Sequence, residues 1–132
     1  MRNSNINLKR AIQFFFVCQV FLTFASGAVH SLSIETGTAL LQGLDKVTAR
    51  VSTFEANLNQ EVRFGTLEVI VKKCVKTPPE ETPESAAFLE IRDIKPGQDL
   101  EILFTGWMFA SSPSLSAMQH PVYDVWVIGC LD

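Results

Sequence analysis

The segment Thr77–Ser85 (TPPEETPES) carries three prolines within six positions, and it restricts the fold more than any other stretch of the chain. Proline fixes φ and lacks a backbone N–H, so this run can form neither a helix interior nor a central strand. We therefore predict an extended acidic loop. The apolar segments before and after it are then separate elements.

Those segments have the alternating pattern of β-strands. Val62–Lys76 (VRFGTLEVIVKKCVK) places Leu67, Val69 and Val71 on one face and mostly polar side chains on the other. Similar strands are predicted for residues 47–56, 86–94, 99–110 and 122–130. Because no connection is long enough for a helical crossover, parallel strands are excluded. The sequence predicts an all-β fold, a small antiparallel sandwich or barrel of about five to seven strands with one disulfide.

Two glycines indicate where the backbone bends. Gly65 interrupts the alternation of Val62–Lys76 and predicts a bulge or bend within that strand. Lys95–Gln98 (KPGQ) has proline followed by glycine, which suits a type II turn and therefore a hairpin.

Residues 1–28 resemble a secretory signal peptide. Arg2, Lys9 and Arg10 precede the apolar stretch Ala11–Phe24, and the small residues Ala25–Ala28 follow it. The pattern predicts export by the general secretory route, cleavage after Ala28 and no membrane insertion afterwards. An uncleaved anchor is the alternative, because the apolar stretch is near the lower length of a spanning helix. We expect residues 29–44 to be a flexible N-terminal segment and residues 45–132 to be the β domain.

The charge of the chain argues against nucleic acid as a partner. Removing residues 1–28 takes away three of the 11 basic residues and none of the 14 acidic ones, which leaves a net charge near −6. Nucleic acids and anionic lipids select basic surfaces.

Two cysteines, Cys74 and Cys130, remain after cleavage, and an even pair in a small exported domain predicts a disulfide. No Cys-x-x-Cys motif indicates redox chemistry, and His120 adds no spacing typical of zinc. We expect neither a metal site nor a cofactor.

The residues of a nucleophilic triad occur near the end of the sequence. Ser111, Ser112, His120 and Asp124 have suitable side chains, but no Gly-x-Ser-x-Gly motif exposes a serine on a strained turn. Proline at 121 favours an extended conformation at His120, as at the start of a strand. We expect no enzymatic activity, and a small serine hydrolase using Ser111 or Ser112 with His120 stays open as an alternative.

Aromatic residues flank the same serine-rich loop. Trp107, Phe109, His120 and Tyr123 form a candidate binding surface, since aromatic side chains at the base of a loop suit carbohydrate, peptide or protein ligands. The other possibility is that Trp107 and Trp126 face the core.

The chain resembles an uncharacterised bacterial family, domain of unknown function 2155. The similar stretches are LDKVTARVSTFEA, VRFGTLEVIVKKCVKTPPEETPESAAFLEI and GWMFASSPSLSAMQHPVYDVWVIGC, from Leu44 to Cys130. The resemblance implies an exported, periplasmic protein of a Gram-negative envelope and carries no catalytic residues. We therefore expect a non-enzymatic binding or structural module whose partner is an envelope protein or a cell-wall component. A subunit of a larger envelope assembly is the alternative.

Overall fold

The computed structural model describes residues 32–132, and these residues form two antiparallel β-sheets. No helix among them is both long and apolar enough to cross a membrane. The predicted signal peptide, residues 1–28, lies outside the described residues. The strands are β1 (Ile34–Thr36), β2 (Thr38–Asp45), β3 (Arg50–Asn57), β4 (Glu61–Phe64), β5 (Leu67–Lys76), β6 (Ser85–Asp93), β7 (Glu101–Phe109) and β8 (Tyr123–Leu131), with a short 3-10 turn at Pro113–Leu115.

The two sheets enclose one apolar core, which confirms the all-β antiparallel prediction. The larger sheet has the order β1-β5-β6-β7, with β4 also paired to β5, and the smaller sheet has the order β3-β2-β8. Core side chains come from both sheets, for example Leu41, Val69, Leu89 and Val127. The strands number eight because β1, β2 and β4 add to the five segments recognised in the sequence.

The segment predicted to be flexible, residues 29–44, is instead largely structured from Ile34 onward. β2 is the central strand of the smaller sheet and pairs with β3 from Thr38↔Asn57 to Asp45↔Arg50. Ala39, Leu41 and Gly43 face the core, and a Cβ on Gly43 would lie 2.6 Å from Cζ of the Phe64 ring. Glycine at this position therefore serves close packing, although it weakens the strand pattern in the sequence.

Val62–Lys76 is a hairpin, whereas the sequence predicted one bent strand. Gly65 has φ +59° and joins β4 to β5 in the register Phe64↔Leu67. Glycine reaches positive φ without steric cost, so the residue that predicted a bend can reverse the chain here. The turn predicted at Lys95–Gln98 is present: Gln98 N–H donates to the Lys95 carbonyl at 3.2 Å, and Gly97 has φ +72°.

The predicted disulfide between Cys74 and Cys130 is present and links the two sheets. It joins β5 to β8 with a Cα–Cα distance of 5.8 Å, and both residues are buried. This bridge lies at the end of the sandwich where β6 begins, since Cys74 is opposite Ala87.

The connection from β7 to β8 runs the length of the sandwich. β7 begins opposite Asp93 and ends opposite Ala86. β8 also begins near Asp93, because His120, just before β8, contacts that residue, and β8 ends at the disulfide. Both strands therefore start at the same end, and residues 110–122, here called the crossover segment, return along the side of the fold. Met118 anchors the middle of this segment in the core with an exposed fraction of 5 %.

Candidate functional site

A buried carboxylate at the end of β6 holds the crossover segment. Asp93 follows Ala87, Leu89 and Ile91 on the inward face of its strand. Its carboxylate accepts hydrogen bonds from Thr66 Oγ1 at 2.6 Å and His120 Nε2 at 3.1 Å, and Lys95 Nζ lies 2.8 Å away. Three partners satisfy the buried charge, as burial of a carboxylate requires.

These contacts set the protonation of Asp93. Burial alone raises the pKa of this carboxyl, but the hydrogen bonds from Lys95, Thr66 and His120 outweigh burial and bring the pKa below its ordinary value of 3.8. Asp93 is therefore an anion throughout the neutral range.

Both ring nitrogens of His120 are engaged. Nδ1 accepts the backbone N–H groups of Val122 at 3.1 Å and Tyr123 at 3.0 Å, so the ring hydrogen lies on Nε2, which donates to Asp93. The imidazole also stacks on the Tyr123 ring, with centroids 5.3 Å apart and planes 20° apart. These contacts hold the His120 ring in one orientation at the end of the crossover segment.

Lys46 forms a second attachment at the same end. Its Nζ donates to the His120 carbonyl at 2.8 Å and pairs with the Asp124 carboxylate at 3.1 Å. The Lys46 and Asp124 side chains are each 38 % exposed, so this ion pair faces solvent.

The opposite end of the crossover segment is tied to the proline-rich loop. The Glu84 carboxylate accepts hydrogen bonds from the Ser111 hydroxyl and from the Ser111 backbone N–H, the latter at 3.1 Å. The Ser111 hydroxyl, followed by backbone N–H groups, lowers the pKa of Glu84 from its ordinary value of 4.5.

The serines and the histidine of the hydrolase alternative lie at opposite ends of β6. Ser111 is bonded to Glu84 next to the first residue of β6, whereas His120 contacts Asp93 at its last residue. Eight residues of strand separate these ends by about 26 Å. A nucleophile and its base require hydrogen-bond contact, and this arrangement does not supply it.

The candidate binding surface of Trp107, Phe109, His120 and Tyr123 is likewise divided. Trp107 packs edge-on against Phe88 on the outer face of the larger sheet and is 37 % exposed. His120 and Tyr123 stack near Asp93, five strand residues from Phe88 or about 16 Å. Phe109 is half-buried opposite Ala86, nearer the disulfide.

Two open depressions border the crossover segment. The first, about 400 Å³, is lined by Lys46, Met118, Gln119, His120 and Pro121. The second, about 220 Å³, is lined by Pro113, Ser114, Ala117, Met118, Asp124, Val125 and Trp126. They share Met118, and the Lys46–Asp124 ion pair connects them.

Trp126 is the aromatic residue that belongs to this surface. It alternates with the buried Val125 and Val127, so its side chain lies on the outer face of the smaller sheet. The sequence left open whether Trp126 faces the core or the surface, and it did not predict Lys46 or Asp93 for binding. The strand pattern contained a signal for Asp93: it continues the alternation of Leu89 and Ile91, so a charged residue stands on the apolar face of the strand.

Within residues 32–132, no group of three or more His, Cys, Asp or Glu side chains could hold a metal ion.

Comparison with known proteins gives a family and one relative. The family model described as "Uncharacterized protein conserved in bacteria (DUF2155)" matches residues 39–130. An uncharacterised protein of Rickettsia prowazekii (strain Madrid E), RP359, is 31 % identical over 87 residues, which is 66 % of this chain and 56 % of the relative. The chain therefore spans little more than half of that protein. No solved structure matches.

Proposed function

The chain belongs to the DUF2155 family of uncharacterised bacterial proteins, and on that premise we propose that it is an exported, non-enzymatic binding module of the cell envelope. Two features support export. The pattern of residues 1–28 is typical of a secretory signal, and a disulfide between Cys74 and Cys130 suits an oxidising compartment. We propose the periplasm as that compartment.

The proposed binding surface is the outer side of the crossover segment with Trp126. The observation that carries the proposal is that an exposed loop is fixed at both ends and in its middle: Asp93 holds His120, Glu84 holds Ser111, and Met118 is buried. A loop held in this way loses little conformational entropy when a ligand binds. Loops positioned by a rigid scaffold are also where binding residues concentrate.

The chemistry of the surface suits an uncharged or zwitterionic polar ligand. Trp126 offers an aromatic face, Gln119 and Ser114 offer hydrogen-bonding groups, and Lys46 and Asp124 offer one charge of each sign. Peptide or glycan segments of an envelope protein or of the cell wall have this combination of apolar faces and polar groups. The separation of Ser111 from His120 supports a binding role over a serine hydrolase.

The test compares two tryptophans on different faces. Envelopes from cells producing the full-length protein are crosslinked, and the protein is recovered in the wild type, the Trp126→Ala variant and the Trp107→Ala variant. We expect Trp126→Ala to lose the crosslinked species and Trp107→Ala to keep it, because Trp107 packs against Phe88 on the other sheet. Retention of every species by a folded Trp126→Ala variant would reject the surface.

Export has its own test. N-terminal sequencing of the protein from fractionated cells should give a chain beginning at Val29 in the periplasmic fraction. An intact chain in the cytosol, with free thiols at Cys74 and Cys130, would contradict export.

A further inference from the structure

The strands at the margins of the two sheets differ in how their free edges are protected. β1 has three residues and β4 has four, which leaves little edge to pair. β7 has a register shift opposite Ile91 and Arg92, and β8 has one opposite Leu40 and Leu41. Short strands and bulges are the usual means of preventing unwanted strand pairing. β3 has neither.

β3 keeps an unbroken register with β2 over all eight residues, Arg50–Asn57. It contains neither proline nor lysine, the residues that most often block an edge, and its charged residues are Arg50 and Glu55. Val51, Thr53 and Glu55 are exposed, and Val51 retains 51 % of its surface. β3 is therefore a long and accessible edge.

The hydrogen-bond register shows which backbone groups of β3 are available. Leu58 N–H donates to the Gly37 carbonyl at 3.1 Å, continuing the ladder beyond Thr38↔Asn57. In an antiparallel ladder, alternate residues bond to the partner strand, so Ala56, Phe54 and Ser52 bond to β2. The N–H and C=O groups of Val51, Thr53 and Glu55 then point away from β2, and no described residue pairs with them.

We propose that the edge of β3 receives an extended, basic segment of another protein, which adds antiparallel to the smaller sheet as its fourth strand. Backbone donors and acceptors alternating along an open strand are complementary to another extended backbone. The charge of the surface favours a basic segment, because residues 32–132 contain 14 acidic and eight basic residues. Near the edge, Glu55 within β3 and Glu61 just after it outnumber Arg50, the one basic residue of the strand. The same net charge near −6 opposes pairing with a second copy.

A capped octapeptide of alternating valine and lysine serves as the probe, with a valine and glutamate octapeptide for comparison. Amide exchange of the full-length protein is followed by NMR. We expect the lysine peptide to slow exchange at Val51, Thr53 and Glu55, while the glutamate peptide binds more weakly. Thr53→Pro removes one outward donor without touching the ladder to β2 and should weaken binding about tenfold. Thr53→Val is the matched control and should bind as the wild type does.

Equal affinity of the Thr53→Pro and Thr53→Val variants would overturn the proposal. Protection of the same amides that grows with protein concentration, without peptide, would also overturn it by identifying a second copy as the occupant. If Thr53→Pro does not fold, Glu55→Lys provides the decision: it should reverse the preference between the two peptides, and an unchanged preference rejects the proposal. Trp126→Ala should leave peptide binding intact, so this surface is tested separately from the crossover segment.

Discussion

His120 Nε2 lies 3.1 Å from a carboxylate oxygen of Asp93, although 27 positions separate the two residues in the chain. This contact joins the crossover segment to the last residue of β6. Because both side chains are buried, the hydrogen bonds of the folded state replace water in stabilising the Asp93 carboxylate.

Asp93→Asn should destabilise the protein. The amide keeps the shape of the carboxylate but loses the charge that attracts Lys95. Its NH2 group is also a donor, and it replaces an oxygen that accepts hydrogen bonds in the wild type. We expect the free energy of unfolding to fall by about 2 to 3 kcal/mol in urea titrations. Asp99→Asn, at an exposed position, is the control and should change it by less than about 0.5 kcal/mol. Equal effects of the two substitutions would mean that the Asp93 charge contributes nothing.

Stability should fall in acid. The folded-state pKa values of Asp93 and Glu84 both lie below their ordinary values of 3.8 and 4.5. The unfolded chain therefore binds protons first, so the stabilisation is complete above these ordinary values and is lost as the pH falls through the lower folded-state values. Melting temperatures measured between pH 7 and pH 2 should decline most steeply below about pH 4. The Asp93→Asn variant should show a shallower decline, and an identical profile would assign the acid sensitivity to other groups.

Gly65→Ala should cost far more than Gly97→Ala. Both glycines have positive φ, but a Cβ on Gly65 would collide with the Tyr123 ring, while a Cβ on Gly97 meets no atom within 4 Å. The backbone cost alone is about 1 kcal/mol, and the collision should add about 1 to 3 kcal/mol at Gly65. Chemical denaturation of the two variants separates these effects. Similar losses in both would indicate that Tyr123 moves aside freely.

Replacement of Cys74 and Cys130 by alanine should cost about 4 kcal/mol, since the bridge closes a loop with a sequence separation of 56. The double variant should also unfold at a lower denaturant concentration than the wild type under non-reducing conditions. Wild-type protein that is reduced while unfolded, and then refolded in reductant, should be no more stable than the double variant. A wild type that keeps its advantage after complete reduction would contradict a role for the bridge.

Local sequence pattern was sufficient to predict the elements whose conformation depends on residues adjacent in the chain. The turn at Lys95–Gln98 follows from the backbone preferences of Pro96 and Gly97 alone. Alternation from Leu67 to Val71 was strong because one face is core. The pattern of β2 was weak because Gly43 occupies a core position that the ring of Phe64 fills from another strand.

The candidate site depended on contacts that local pattern does not encode. The aromatic residues Trp107 and Tyr123 are close in sequence, but β7 and β8 belong to different sheets, so proximity in sequence did not bring them together. Trp126 and Lys46 meet the crossover segment only because β8 pairs with β2. Such pairing is set by tertiary packing and not by the residues of either strand alone.

The pairing of β2 with β8 joins segments that lie far apart in the chain. Thr38 lies opposite Leu131 and Asp45 opposite Tyr123, so the smaller sheet is complete only after β8 has been synthesised. Contacts between such distant segments make folding slow. We therefore expect β2 to lack one of its two neighbouring strands in a nascent chain without Tyr123–Leu131, and this sheet to form more slowly than one built from sequential hairpins.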